Sequence, residues 1–215
     1  MAGKVAAVVV AAGRGLRAGG DLPKQYRHVL GEPVIRTSLA LFARHDAISF
    51  VQPVIHPDDA ALFQAASAGL DLLPPVDGGA LRQASVRAGL EALQAHAPDF
   101  VLVHDAARPF ASPALVTRAI AAARASRAAV PVIGVADTVK TVDATGCVTD
   151  TIDRARVRLV QTPQAFGFAA LLEAHRRAKA AGRDDFSDDA ALVTFHMNME
   201  QFLVRTGWSL AAFTP

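Results

Sequence analysis

Short apolar runs recur along the chain, each followed by a stretch with helical spacing. Residues 5–10, 49–55, 70–73, 100–104 and 129–135 read as strands. Several of them lack the polar alternation of a half-exposed sheet, which predicts burial on both faces. Between them, residues 34–43, 58–68, 81–95 and 113–126 read as helices. Asp58 is well placed after His56-Pro57 to begin one helix, and Ser112-Pro113 supplies an N-cap followed by a proline at the first helical position. Repetition of strand and helix predicts an α/β, doubly wound, mostly parallel sheet whose ligands bind outside the carboxyl ends of the strands. The loops at 11–24, 77–85 and 104–109 all follow predicted strands and so belong on that one edge.

The rhythm breaks between residues 136 and 164. Two polar strands, Val139–Val142 and Val148–Ile152, flank Asp143-Ala-Thr-Gly146, which predicts a β-hairpin closed by a glycine turn. A ribbon this polar projects from the sheet, either as a solvated excursion or as an arm that grips a second subunit. The arm is expected, because a two-stranded ribbon is marginal unless it packs on something. Residues 168–181 then read as a helix and 184–189 as an acidic loop. The whole chain, 1–215, reads as one domain with an arm at about 137–160 and a tail at about 194–215.

Composition narrows the class. The chain is 52% hydrophobic, much of it alanine, which fits helices packed on a sheet. No apolar run approaches the ~18–20 residues of a membrane span. The N-terminus enters a strand almost at once, with no signal-peptide pattern. Cys147 is the only cysteine, which excludes an internal disulfide and a multi-cysteine metal site. A cytoplasmic protein is expected. Net charge is +2, no basic run forms a patch, and there is one Trp and one Tyr, so nucleic acid is not the expected partner. Eighteen of the 22 cations are arginines, and two of the four lysines, Lys24 and Lys140, fall in motifs.

The first motif is Ala11-Ala12-Gly13-Arg14-Gly15-Leu16-Arg17, followed by Leu22-Pro23-Lys24-Gln25. Glycines let backbone N–H groups close around phosphate oxygens, and Arg17 and Lys24 can neutralise what is held there. Gly13-x-Gly15-x-x-Ala18 also matches a dinucleotide fingerprint, but Gly19-Gly20-Asp21-Leu22-Pro23 would break the helix that fingerprint requires. Glu32 precedes the second strand and Asp58 lies too far downstream to hold a ribose, and the Walker GK[ST] is absent. Phosphate binding is expected over a ligand-free glycine turn. The second motif, Asp77-Gly78-Gly79 with Arg82-Gln83-Ala84-Ser85-Val86, enters a helix and by itself is an ordinary loop. The third is His104-Asp105-Ala106-Ala107-Arg108-Pro109. An aspartate just past a buried strand suits a divalent cation, with an Asp105–Arg108 bridge as the alternative, and His104 reads as packed. Asp137-Thr138-Val139-Lys140 and Asp153-Arg154 sit at either end of the arm, as solvated charges or as a phosphate site completed across a dimer. Thr162-Pro163-Gln164 and Ser187-Asp188-Asp189 look like ordinary loop and cap sequences.

As an ordered set these motifs are far more specific. A-A-G-x-G-x-R and P-K-Q, then D-G-G and R-Q-x-S-V, H-D-A-A-R-P, D-T-x-K, D-R and Q-T-P-Q resemble the 2-C-methyl-D-erythritol 4-phosphate cytidylyltransferases of the non-mevalonate isoprenoid pathway, over roughly residues 4 to 193. The resemblance implies a Rossmann-like nucleotidyltransferase fold that joins CTP to methylerythritol phosphate, with Mg²⁺ or another divalent cation. It implies that Ala11, Ala12, Gly13 and Gly15 wrap the CTP phosphates, that Arg17 and Lys24 stabilise charge at the α-phosphorus, and that Gly79, Ser85 and Ala106 hold cytosine and ribose. Asp105 would lie beside the metal. Arg108, Thr138, Lys140, Arg154, Thr162 and Ser187 would surround the acceptor, with the arm of one subunit reaching a partner in a homodimer. Serine stands at 187 where the family usually has threonine, a change that keeps the hydroxyl.

The residues suit that chemistry, because an already ionised phosphate oxygen needs no general base and catalysis becomes positioning plus charge neutralisation. A related transferase for another sugar or polyol phosphate, and a nucleotide-binding paralogue with impaired catalysis, are the alternative readings. One departure bears on activity. The family's late N-x-K segment, whose lysine also contacts the triphosphate, is not matched: no lysine follows Lys179, and Arg205 is the nearest substitute. One lost contact of this kind costs a few kcal/mol of transition-state stabilisation.

Overall fold

The computed structural model describes residues 3–14, 22–197 and 209–213. In chain order the elements are β1 (Val5–Ala11), β2 (His28–Val29), β3 (Glu32–Pro33), α1 (Val34–Ala43), β4 (Phe50–Ile55), α2 (Ala60–Ser67), β5 (Val76–Asp77), α3 (Arg82–Leu93) and β6 (Phe100–Asp105). They continue with α4 (Pro113–Ser126), β7 (Arg127–Gly134), β8 (Val139–Val142), β9 (Val148–Ile152), β10 (Arg158–Val160), β11 (Gln164–Gly167), α5 (Phe168–Ala180), α6 (Asp189–Met197) and β12 (Ser209–Phe213). The main sheet runs β10-β7-β11-β6-β1-β4-β5, with β12 parallel to β7. Strands β6, β1, β4 and β5 are parallel, whereas β11 is antiparallel to both β6 and β7.

The absence of polar alternation in β1 has a direct cause: both of its faces are core. Ala6 and Val8 pack with Val54, Val101 and Val103 beneath α3 and α5, while Val5, Ala7, Val9 and Ala11 pack with Leu102 beneath α1 and α4. Gly89 lets α3 lie close on the sheet, since a Cβ there would sit 2.7 Å from Val8 Cγ1 and 2.8 Å from Val54 Cγ2. Ser112 caps α4, its Oγ accepting from the Leu115 N–H at 3.2 Å.

The expected strand at 70–73 is not formed. Leu73 N–H donates to Val51 O at 2.9 Å, but Pro74 and Pro75 have no N–H to continue a ladder, so pairing resumes only at β5. The expected helix at 58–68 begins as a 3₁₀ turn, Pro57–Asp59, before α2. The helix expected at 81–95 is α3 over Arg82–Leu93, and residues 94–96 tighten into 3₁₀. The predicted hairpin is present as the ribbon β8–β9, its turn closed by Asp143 N–H to Cys147 O at 2.9 Å. It exposes Val142 (59%) and Val148 (62%).

Candidate active site

The carboxyl ends of β1, β5 and β6 open on a cleft of ≈ 760 Å³, and the three loops expected on that edge form its walls. The loop after β1 is held from below. Gln25 is buried, and its Nε2 donates to Ala11 O at 2.6 Å and to Gly13 O at 3.0 Å. Gln25 lies in a 3₁₀ turn, Lys24–Tyr26, whose other buried residue is Tyr26. With two of its three side chains anchored inward, the turn presents Lys24 to the cleft beside Ala11, Ala12 and Gly13. Arg14 also lines the cleft, and its Nη1 donates to the buried Asp59 Oδ1 at 2.9 Å. Sequence reasoning assigned Arg14 nothing, although its place inside the glycine loop was the available signal. Gly15 and Arg17 lie outside the described residues, as does Arg205.

The second wall turns on Ser85. Its Oγ accepts the Gly79 N–H at 3.1 Å and donates to Leu81 O at 3.1 Å, so the hydroxyl closes the loop that leads into α3. Gly79 and Ser85 both line the cleft. Gly78 is where the first two loops touch, for a Cβ there would lie 2.2 Å from Ala12 Cβ and 2.8 Å from Ser85 Oγ.

On the third wall, β6 ends in His104 and Asp105. His104 is fully buried, with its ring edge-on to Phe42 at 5.1 Å. Its Nε2 lies 3.1 Å from Arg108 O, which can only accept, so Nε2 carries the proton. Nδ1 therefore accepts from Thr162 Oγ1 at 2.9 Å, and that oxygen in turn accepts the Asp105 N–H at 3.4 Å. Burial, supported by the positive charges of Arg108 and Arg82, pushes His104 down to about 4, against the opposing pull of Asp105. A neutral histidine thus fixes the strand end, as its packed reading implied. Thr162 serves the same network and does not line the cleft. Ala106 is likewise off the cleft lining: it is buried, its N–H donates to Val10 O at 3.0 Å and its carbonyl accepts from Ser38 Oγ at 2.9 Å. Ala107 is the neighbour that reaches the cleft.

Asp105 is half-buried between two arginines. Oδ1 accepts from Arg82 Nε at 3.0 Å and Oδ2 from Arg108 Nε at 3.2 Å, so the Asp105–Arg108 bridge exists. Arg108 also donates to Gln161 Oε1. Arg82 Nη1 reaches Asp189 Oδ2 at 2.8 Å, and Asp189 Oδ1 lies 2.9 Å from His175 Nε2. Burial alone would raise Asp189, but the His175 hydrogen bond and the Arg82 charge override it and hold the carboxyl below its usual range. Burial would lower Arg82, and the two carboxylates more than reverse that. Sequence reasoning quoted Arg82 inside a motif and treated Asp189 as a helix cap, so it missed this pairing.

Other expected residues stay apart. Thr138 immediately precedes the ribbon, Lys140 lies in β8 and Arg154 in the turn after β9, and none lines the cleft. Lys140 donates to Thr151 Oγ1 and Arg154 to Ala136 O. Ser187 lies ahead of α6, off the cleft lining. Among the described residues no three His, Cys, Asp or Glu side chains group around a metal-sized point. No helix among them is long and apolar enough to cross a membrane.

The sequence profile of the family described as IspD: 2-C-methyl-D-erythritol 4-phosphate cytidylyltransferase matches residues 5–206. A bifunctional enzyme IspD/IspF from Rhodopseudomonas palustris (strain HaA2) is 61% identical over 189 residues, covering 88% of this chain and 47% of that protein. The chain spans about half the length of the curated relatives it matches. Among solved structures, 2-C-methyl-D-erythritol 4-phosphate cytidylyltransferase from Thermus thermophilus is similar at 36% identity and a TM-score of 0.76, covering 98% of this chain and 88% of that one. The 4-diphosphocytidyl-2C-methyl-D-erythritol synthase from Anaerococcus prevotii is similar at 29% identity and a TM-score of 0.81, covering 99% of this chain and 87% of that one.

Proposed function

The chain belongs to the 2-C-methyl-D-erythritol 4-phosphate cytidylyltransferase family, and from that premise we propose that it transfers a cytidylyl group from CTP to methylerythritol phosphate. The acceptor phosphate oxygen attacks the α-phosphorus in line, the bond to the β-phosphate breaks, and pyrophosphate leaves. One observation carries the proposal: a cleft at the sheet's carboxyl edge joins the glycine loop, Lys24, and the Asp105–Arg108 corner. Ser85 and His56 both line it, but the Ser85 hydroxyl is bonded to the Gly79 N–H and Leu81 O and the His56 ring to the Asp58 N–H, so they form no nucleophile–base pair, and none is needed for an ionised phosphate nucleophile.

The proposed roles rest on the sequence motifs and, for the described residues, on the cleft lining. Ala11, Ala12 and Gly13 offer backbone to the triphosphate. Lys24, with Arg17 from the same loop, stabilises charge developing on the α-phosphoryl oxygens. Gly79 and the Ser85-closed loop meet the base and ribose. Arg108 lies on the acceptor side. Mg²⁺ or another divalent cation fits if it is shared between nucleotide phosphates and a single carboxylate, because Asp105 is the acidic residue among the described residues lining the cleft. When bound, the ion neutralises phosphate charge. Asp105 would hold the ion, its carboxylate being shared with Arg82 and Arg108.

The ribbon residues Thr138, Lys140 and Arg154 fit a homodimer in which each arm completes the acceptor site of its partner. Two observations support this: those residues do not line their own cleft, and the ribbon exposes Val142 and Val148. Within the described fold, this is one nucleotidyltransferase unit.

Pyrophosphate release from CTP and methylerythritol phosphate is the direct test; no turnover by folded protein would remove the activity. Arg154→Ala is expected to raise KM for the acceptor by about tenfold while leaving CTP affinity nearly intact. Equal loss of both would contradict the acceptor-side assignment. Gly78→Ala is expected to weaken CTP binding about tenfold in calorimetry, since the new methyl must push apart the two loops that frame the nucleotide. Unchanged affinity would mean that the 2.2 Å approach relaxes at no cost to the site.

A further inference from the structure

Arg82 is the first residue of α3, where the helix dipole favours anions and a cation is misplaced unless something compensates. The compensation is two carboxylates from elements distant in sequence, Asp105 at the end of β6 and Asp189 at the start of α6. The two ends of the guanidinium meet different surroundings. Asp189 is 1% exposed, and its other oxygen is taken by the fully buried His175. The start of α6 is itself tied down, for Gln164 Oε1 accepts the Ala190 N–H at 3.2 Å and Gln164 Nε2 donates to Asp188 Oδ2 at 2.9 Å. Arg82 Nη1 is therefore clamped to a rigid part of the core, and its Nε sets where Asp105 Oδ1 lies in the cleft. Asp105 Oδ2 then holds Arg108.

We infer that Arg82 is a positioning residue that fixes Asp105, and through it Arg108, in the geometry the acceptor phosphate meets. The inference rests on the cytidylyltransferase activity proposed above. A planar fork suits this role because it holds two carboxylates from one group at a fixed separation; an ammonium, a compact charge whose three donors rotate on a flexible stem, fixes no such separation.

The test is a double-mutant cycle on the full chain with wild type, Arg82→Lys, Asp105→Asn and the double variant, measuring kcat and KM for both substrates alongside thermal melts. Arg82→Lys is expected to lower kcat/KM for methylerythritol phosphate by about 10–100-fold with the CTP dissociation constant within about threefold of wild type. In the Asp105→Asn background the same substitution is expected to add less than about twofold, because the carboxylate through which Arg82 acts is already altered. Multiplicative losses would overturn the inference, and so would a matching fall in CTP affinity, which would make Arg82 a nucleotide contact. Should Arg82→Lys not fold, Asp189→Asn releases the inner end of the fork and is expected to show the same non-additivity with Asp105→Asn. If wild type turns over neither substrate, the activity itself has failed. Crystal structures of wild type and Arg82→Lys then decide the positioning role: a displaced Asp105–Arg108 pair is expected, and an unmoved pair overturns it.

Discussion

Replacing Lys24 by alanine is expected to lower kcat for cytidylyl transfer by about 10²–10³-fold, with KM for CTP changed by no more than about threefold. The expectation follows from how the lysine is held. Gln25 and Tyr26 are buried on one turn, Gln25 grips the carbonyls of Ala11 and Gly13, and Lys24 is left at the cleft. The ammonium is thus fixed relative to the same loop that is to carry the triphosphate. A cation fixed before reaction costs little reorganisation when negative charge grows on the α-phosphoryl oxygens. Under the proposed function the triphosphate in the ground state would also have backbone amides and a divalent cation to share its charge, so loss of Lys24 is expected to fall mainly on the transition state. Lys24 is exposed, so its removal should leave stability within about 0.5 kcal/mol. A rise in KM at constant kcat would instead make it a binding cation, and a large fall in melting temperature would make it structural.

Much of this site was legible from residues alone because it is local. The three loops follow strands, and a doubly wound sheet delivers the ends of parallel strands to one edge, so motifs at 11–25, 77–85 and 104–109 had to meet. Unalternating β1 announced burial on two faces, and both cores are there. What stayed hidden is non-local or is set by single residues. Arg82 and Asp189 lie 107 positions apart, and nothing in either segment names the other. Leu70–Leu73 has the composition of a strand, yet the two prolines that follow decide where the ladder can form. Strand β11 has only 4 residues and is antiparallel amid parallel neighbours, so no run or period marks it. Ser85, Thr162 and Ala106 carried the right motif letters but spend their polar groups inside the fold, where they shape the walls. The ribbon was legible as a hairpin; the acceptor role proposed for its residues requires a second chain, which a single sequence does not display.

The neutral state of His104 predicts a pH dependence of stability with a definite sign. Unfolded, the imidazole titrates near 6.5, while in the fold burial pushes it down to about 4. Between those values the unfolded chain binds a proton that the native protein refuses, so stability rises with pH across this window. The contribution is present in full above about pH 6.5 and is lost as pH falls toward 4. A difference of this size is worth about 3 kcal/mol, at about 1.4 kcal/mol per pH unit. His104→Gln replaces the ring by a non-titrating amide and so removes this pH-dependent contribution. At pH 7 the variant is expected to be less stable by about 1–2 kcal/mol, because the Thr162 and Arg108 O hydrogen bonds are weakened. As pH falls the wild type should lose stability faster, and the two curves should meet and cross before pH 4. Urea unfolding in EDTA at a series of pH values separates the outcomes. Parallel curves would show that the fold tolerates a protonated His104, and with it that the hydrogen bonds from Asp105 N–H through Thr162 and His104 to Arg108 O do not depend on the neutral ring.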